Sequence, residues 1–153
     1  MNPIELCLVP FLLQGAVLAI DEFHFHRLRG LGPWERWGHP LDTASVLAPL
    51  ALALVLPLNL PALEWFIGLS LFSCLFVTKD EWIHRHQAGA LEHYLHALLF
   101  LLHPFVFIAA GVLWWRGGAL ERMILLAQSA VLTAFLLYQF SWWVLLRRGR
   151  WPS

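Results

Sequence analysis

Five long apolar stretches, at 4–20, 44–60, 62–77, 97–115 and 123–146, divide the chain, and most of its charged residues and histidines fall between them or at their ends. A helix rises about 1.5 Å per residue and crosses the hydrocarbon of a bilayer in about 20 residues. Each stretch is of that order, although Glu5 and Glu64 stand at the start of two of them. Lipid offers the backbone no hydrogen bonds, so each stretch is expected to be an α-helix, with Pro10, Pro49 and Pro104 as tolerated kinks. The pattern therefore predicts an all-α integral membrane protein with five transmembrane helices and no soluble domain.

Composition supports that reading. Hydrophobic residues make up 59% of the chain and charged ones 13%, against about 25% charged in a typical soluble domain. Trp34, Trp37, Trp65, Trp82, Trp114, Trp115, Trp142 and Trp143 are expected as interfacial anchors. Gln128, Thr133, Tyr138 and Gln139 in the last stretch suit interhelical hydrogen bonds. The formal net charge is zero, so a nucleic-acid partner has no electrostatic footprint. Cys7 and Cys74 both lie in apolar surroundings, which argues for inert thiols rather than a disulfide or a thiolate site. Val17-Leu18-Ala19 resembles a signal-peptidase site, but no basic segment precedes it, and cleavage is not expected.

Orientation follows from Lys and Arg. Arg27, Arg29, Arg36, Lys79, Arg85, Arg147, Arg148 and Arg150 fall on one side of the predicted spans, and only Arg116 and Arg122 on the other. By the positive-inside rule the N-terminus is outside and the C-terminus cytoplasmic, in the plasma or inner membrane.

The chain also repeats itself. At an offset of 59, Glu5 matches Glu64, Asp21 matches Asp80, Glu22 matches Glu81, Phe23 matches Trp82 and Gly30 matches Gly89. The offset then becomes 57, and Glu35 matches Glu92, Trp37 matches Tyr94, His39 matches His96 and Leu41 matches Leu98. Each repeat, about 3–58 and about 61–115, reads as two helices within a single transmembrane domain, with an extra C-terminal helix at about 119–147 packed outside. Both repeats would run the same way through the membrane, related by a pseudo-twofold axis along its normal.

The repeated residues are those that bind cations. All eight histidines lie between residues 24 and 103, and seven of the ten acids are Asp21, Glu22, Glu35, Asp42, Asp80, Glu81 and Glu92, on the predicted cytoplasmic side. Residues three or four apart share a helix face, a condition met by Glu22/His26, Glu35/His39, Glu81/His84 and Glu92/His96. Helix bundles build di-iron and di-manganese centres from inward-facing Glu and His, and a mixed N and O set without thiolate suits iron, manganese or zinc. These eight residues are the predicted ligands of two divalent ions, iron first. His24, His86 and His93 are alternative ligands. Asp21 and Asp80 are alternative ligands or residues that orient ligating imidazoles, and Asp21/His24 competes with Glu22/His26. His103, seven residues beyond His96 on the same face, is a ligand, a proton relay or a substrate contact. Any single Glu–His pair at this spacing is more often a solvated helix end, and the alternating charges around Lys79 and Arg85 also serve topology. It is the repetition that favours metal.

The expected function is a dinuclear oxidoreductase acting on a lipid-soluble substrate at the cytoplasmic face, supplied by an electron donor. A zinc-type membrane hydrolase, a metal or proton carrier, and a haem-binding electron-transfer subunit are the alternatives. Membrane hydroxylases and desaturases also carry histidine-rich cytoplasmic clusters. The likeness is chemical only, since no two histidines here are adjacent. The carboxylate-rich set is closer to soluble di-iron bundles, again by analogy.

Overall fold

The computed structural model describes residues 2–81 and 89–146. Five helices are long and apolar enough to span a membrane: α1 (Pro3–Arg29), α2 (Pro33–Val55), α3 (Leu60–Lys79), α4 (Ala90–Arg116) and α5 (Ala119–Leu146). No strand occurs among the described residues.

Local chemistry sets the helix ends. The Asn2 side chain accepts from the Ile4 amide at 3.2 Å while Glu5 accepts from the Asn2 amide at 3.0 Å, so two of the amides that a helix start leaves unpaired are satisfied reciprocally. Pro33 opens α2, where no intrahelical amide bond is lost. Asn59 caps α3 through the Ala62 amide at 2.9 Å. α4 ends at Gly117, whose φ of 63° closes the helix through a 3.1 Å bond to the Leu113 carbonyl.

α1 packs chiefly on α4, and α2 on both α3 and α5. The core between them is apolar, with Leu50, Ala110, Leu113 and Leu125 fully enclosed. Of the most apolar part of α1, α3 and α5, only 22% is buried inside the protein. The remainder, including Leu12, Leu71, Leu75 and Met123, faces outward, as it would against lipid. Cys7 is buried, Cys74 half-buried, and both are free thiols.

α5, expected outside the bundle, lies along α2 and also touches α4. Its last turns bury Gln139 and Trp143, which reach the polar cluster described next. The polar residues gather at the end of the bundle carrying the α1–α2 connection.

Candidate metal centre

The cluster begins with an irregularity in α1. From Asp21 to His26 the helix widens into a π turn, a rare form whose hydrogen bonds skip one residue more than in an α-helix. One turn then spans five residues, so Asp21 and Glu22 both face His26. The Asp21 Oδ2 lies 3.3 Å from His26 Nε2, and Glu22 Oε2 lies 3.6 Å from His26 Nδ1. All three side chains are buried.

α4 supplies the opposite wall. Its His96 Nε2 meets the same Asp21 Oδ2 at 3.1 Å, and Glu92 Oε1 stands 3.7 Å from His26 Nε2. Potential ligand atoms of Asp21, His26, Glu92 and His96 all lie within 4.8 Å of one another. Around an ion bound at about 2.1 Å, ligand atoms are separated by about 3.0 Å in an octahedron and about 3.4 Å in a tetrahedron. The edges of 3.1 and 3.3 Å match that scale; the one of 3.7 Å, to a Glu92 oxygen that also accepts from Arg29, is longer. Asp21 Oδ1 is buried without a hydrogen-bond acceptor or donor opposite it among the described residues, a costly state that a cation relieves. The donor set could therefore hold a metal ion.

A second group, Glu22, His26 and His39, meets the same distance criterion and shares His26. The His39 ring stands 4.5 Å from that of His26. Glu22, however, is already engaged: Trp143 Nε1 donates to its Oε1, and Gln139 Nε2 donates to Oε2 at 3.3 Å. Gln139 is held in turn by Thr43, whose hydroxyl donates to Oε1 at 2.7 Å. A carboxylate fixed in this way beside Nδ1 orients the imidazole and leaves Nε2 for an ion.

Arg29 organises the remaining acids. Its guanidinium donates to both oxygens of Glu35, at 2.7 and 3.1 Å, and twice to Glu92 Oε1, at 3.0 and 3.2 Å. The Glu35 Oε2 also accepts from the Gly32 amide at 2.7 Å, at the start of α2. Both Glu35 oxygens are thus committed to protein donors. Asp21, Glu22, Glu35 and Glu92 are each no more than 3% exposed. Four carboxylates stand against one guanidinium and the imidazoles of His26, His39 and His96. Charge buried at that density needs compensation.

Of the predicted ligands, Glu22, His26, Glu35, His39, Glu92 and His96 come together, joined by Asp21. The repeat-matched pairs Glu35/Glu92 and His39/His96 flank Arg29 and His26. Glu81 does not join them: its side chain is half exposed, 4.0 Å from His93. His24 is exposed against Phe25. His84 and His86 lie outside the described residues, as does the side chain of Asp80. His103 sits deeper, bonded to Gln14 and Ser73. His24→Ala and Glu81→Ala are accordingly expected to leave metal content unchanged and stability within about 0.5 kcal/mol of the parent, by elemental analysis and denaturation in micelles.

Sequence reasoning gave Arg29, Gln139 and Trp143 no part in the cluster: Arg29 was read as a topology charge and Trp143 as an interfacial anchor, while Gln139 was expected to make interhelical hydrogen bonds, as it does with Thr43 and Glu22. Gln139 and Trp143 are four apart on one helix, the only signal that the pair shares a face. Beside the cluster lies a cavity of about 60 Å³ lined by Asp21, His39, Asp42, Thr43, His96 and Gln139, among others. It is roomy and polar enough for water or another small ligand. Comparisons with family models, curated proteins and solved structures returned no match.

Proposed function

We propose that this protein is a membrane-embedded metalloenzyme, an oxidoreductase that acts on a lipid-soluble substrate at the cytoplasmic face. The observation that carries the reading is the buried convergence of Asp21, His26, Glu92 and His96 beside a small polar cavity. Four protein donors would close a tetrahedral ion such as structural zinc, but leave two positions on a six-coordinate ion. That favours iron, with manganese next, and the adjoining cavity is where the open positions would face. A redox-active ion held there would supply one-electron chemistry; oxidation of a hydrocarbon would take dioxygen as the four-electron oxidant, two electrons coming from the substrate and two from a donor on the cytoplasmic side. Glu22 would orient His26, and Arg29 would hold Glu92 in place while offsetting part of the acidic charge.

A dinuclear arrangement has one specific observation in its favour, the second group of Glu22, His26 and His39. It requires Glu22 to serve an ion while holding Trp143 and Gln139. Glu22→Gln separates the two arrangements. In the mononuclear case one equivalent of iron per chain is retained, bound about 10–100-fold more weakly. In the dinuclear case the content falls from two equivalents to one. Elemental analysis and metal titration of the purified protein in micelles read both outcomes, and absence of any bound transition metal in the unaltered protein would refute the enzymatic reading.

A further inference from the structure

Arg27 is the cation of this chain that is held by aromatic rings. Its guanidinium carbon lies 5.2 Å from the centre of the Phe23 ring, one turn back on α1, and 5.1 and 6.0 Å from those of Trp142 and Tyr138 on α5. The rings form a continuous platform: Phe135 and Tyr138 stack at 6.1 Å, Tyr138 and Trp142 at 6.4 Å, and Phe23 leans on Tyr138 at 5.2 Å. Such rings fix an arginine in place and leave its charge unneutralised. Its Nη2 reaches the Tyr138 hydroxyl only at 3.5 Å, beyond the usual length of a hydrogen bond. Arg29, Lys79 and Arg116 each hold a carboxylate, but none pairs with Arg27 among the described residues. Glu22, the acid preceding Phe23, is enclosed and held by Trp143 and Gln139. Arg27 itself is exposed.

The same platform closes one end of a slot of about 220 Å³ between α1 and α5, because Phe23 and Phe135 line it. No charged residue lines the slot, and Gly15, Ala19, Phe23 and Val131 along it are exposed on the outside of the bundle. In a bilayer that opening faces lipid. On α1 the slot runs from Phe11 to Phe23, about 18 Å along the helix axis at 1.5 Å per residue. One leaflet of hydrocarbon is about 15 Å deep, half of a core about 30 Å thick. The slot is therefore about one acyl chain long, and Arg27 stands one helical turn past its end, at the depth where a headgroup begins.

We propose that this surface binds an anionic phospholipid, with its phosphate on Arg27 and one acyl chain in the slot between α1 and α5. A guanidinium presents its N–H donors as a planar fork that matches two phosphate oxygens, and rings on its face leave that edge free to donate. The second acyl chain lies outside the slot, in the surrounding lipid. A neutral lipid leaves the cation unmatched, and a free phosphate ion leaves the slot empty. The sequence after Leu146 adds Arg147, Arg148 and Arg150 and no acid, and an excess of positive charge favours a lipid of net negative charge over a zwitterionic one. The site is independent of the metal cluster and of the function proposed above.

Native mass spectrometry of the full chain, released from micelles holding equal amounts of phosphatidylglycerol and phosphatidylcholine with the same acyl chains, reads the preference. A phosphatidylglycerol with a diazirine in one acyl chain reads the place. Phosphatidylglycerol should be retained about tenfold over phosphatidylcholine, the scale of one hydrogen bond to a charged group, and should cross-link to α1 and α5. Arg27→Gln should bring the two lipids to parity, while Arg27→Lys, which keeps the charge without the fork, should retain part of the preference. A side chain at position 15 has room, since a methyl group built there meets no atom within 4 Å, so Gly15→Phe should remove the cross-links on α1 and α5. Should Arg27→Gln not yield folded protein, the lipid comparison and Gly15→Phe still decide the matter. Equal retention of the two lipids, a preference unchanged in Arg27→Gln, or cross-links indifferent to Gly15→Phe overturns the proposal. Palmitate displacing phosphatidylglycerol at an equal ratio overturns it as well, by giving the surface to a fatty acid.

Discussion

Replacing His26 with alanine is expected to empty the metal centre. The ring is fully buried and lies between the carboxylates: Nε2 faces Asp21 and Glu92, and Nδ1 faces Glu22. His26 belongs to both groups of candidate ligands, so neither a one-ion nor a two-ion arrangement survives its loss. Removing a residue that merely orients a ligand costs about 10–100-fold in metal affinity. Loss of the donor itself should cost at least about 100-fold on that scale. Metal per chain, measured after dialysis against a weak chelator, should then fall to background. His96→Ala and Glu92→Ala should follow it downward, while His39→Ala should matter only if a second ion is bound. Undiminished metal in His26→Ala, His96→Ala and Glu92→Ala would sink the ligand assignment.

The second large effect is expected from Arg29→Met, and it concerns folding. Glu35 and Glu92 would lose the guanidinium that donates to both, leaving two enclosed carboxylates without their cation. Breaking a buried ion pair from one side costs about 3–5 kcal/mol. The Arg29 side chain is 20% exposed, so solvent should hold the loss near the lower end. Unfolding in mixed micelles should show it as a clear drop in midpoint. Adding Glu35→Gln should restore part of the loss, because the amide needs no cation and can still accept from the Gly32 amide. Stability within about 0.5 kcal/mol of the parent in Arg29→Met would show that the network is not structural.

Hydropathy alone marks only the apolar part of each helix; the Gly turns and the Glu–His spacing were what carried the helices on through their polar ends. The apolar stretch 4–20 belongs to a helix that continues to Arg29, and those at 44–60 and 97–115 to helices that begin at Pro33 and Ala90. The extra turns are polar because they face each other inside the bundle rather than lipid. An average over the sequence cannot separate a buried acid from a solvated one. The same blindness hid the part that α5 plays in the cluster: Trp143 reads as an interfacial anchor until its indole N–H is found on Glu22. Internal similarity was a better guide to the cluster, since it paired Glu35 with Glu92 and His39 with His96. It failed for Glu22 and Glu81, one enclosed and the other half exposed. The sequence also left Asp21 open as an alternative ligand or a residue orienting an imidazole. Placing it directly between two imidazoles required the wide turn, which a period of 3.6 residues does not contain.

That wide turn has a further effect on how α1 is divided. One residue added to a helical turn rotates everything beyond it by about 100°. The segment before Asp21 and the segment after it therefore need not look in the same direction. Upstream, the helix can devote its inner face to hydrocarbon; downstream, to ions. A single continuous rod thereby serves two surroundings, one apolar and one polar.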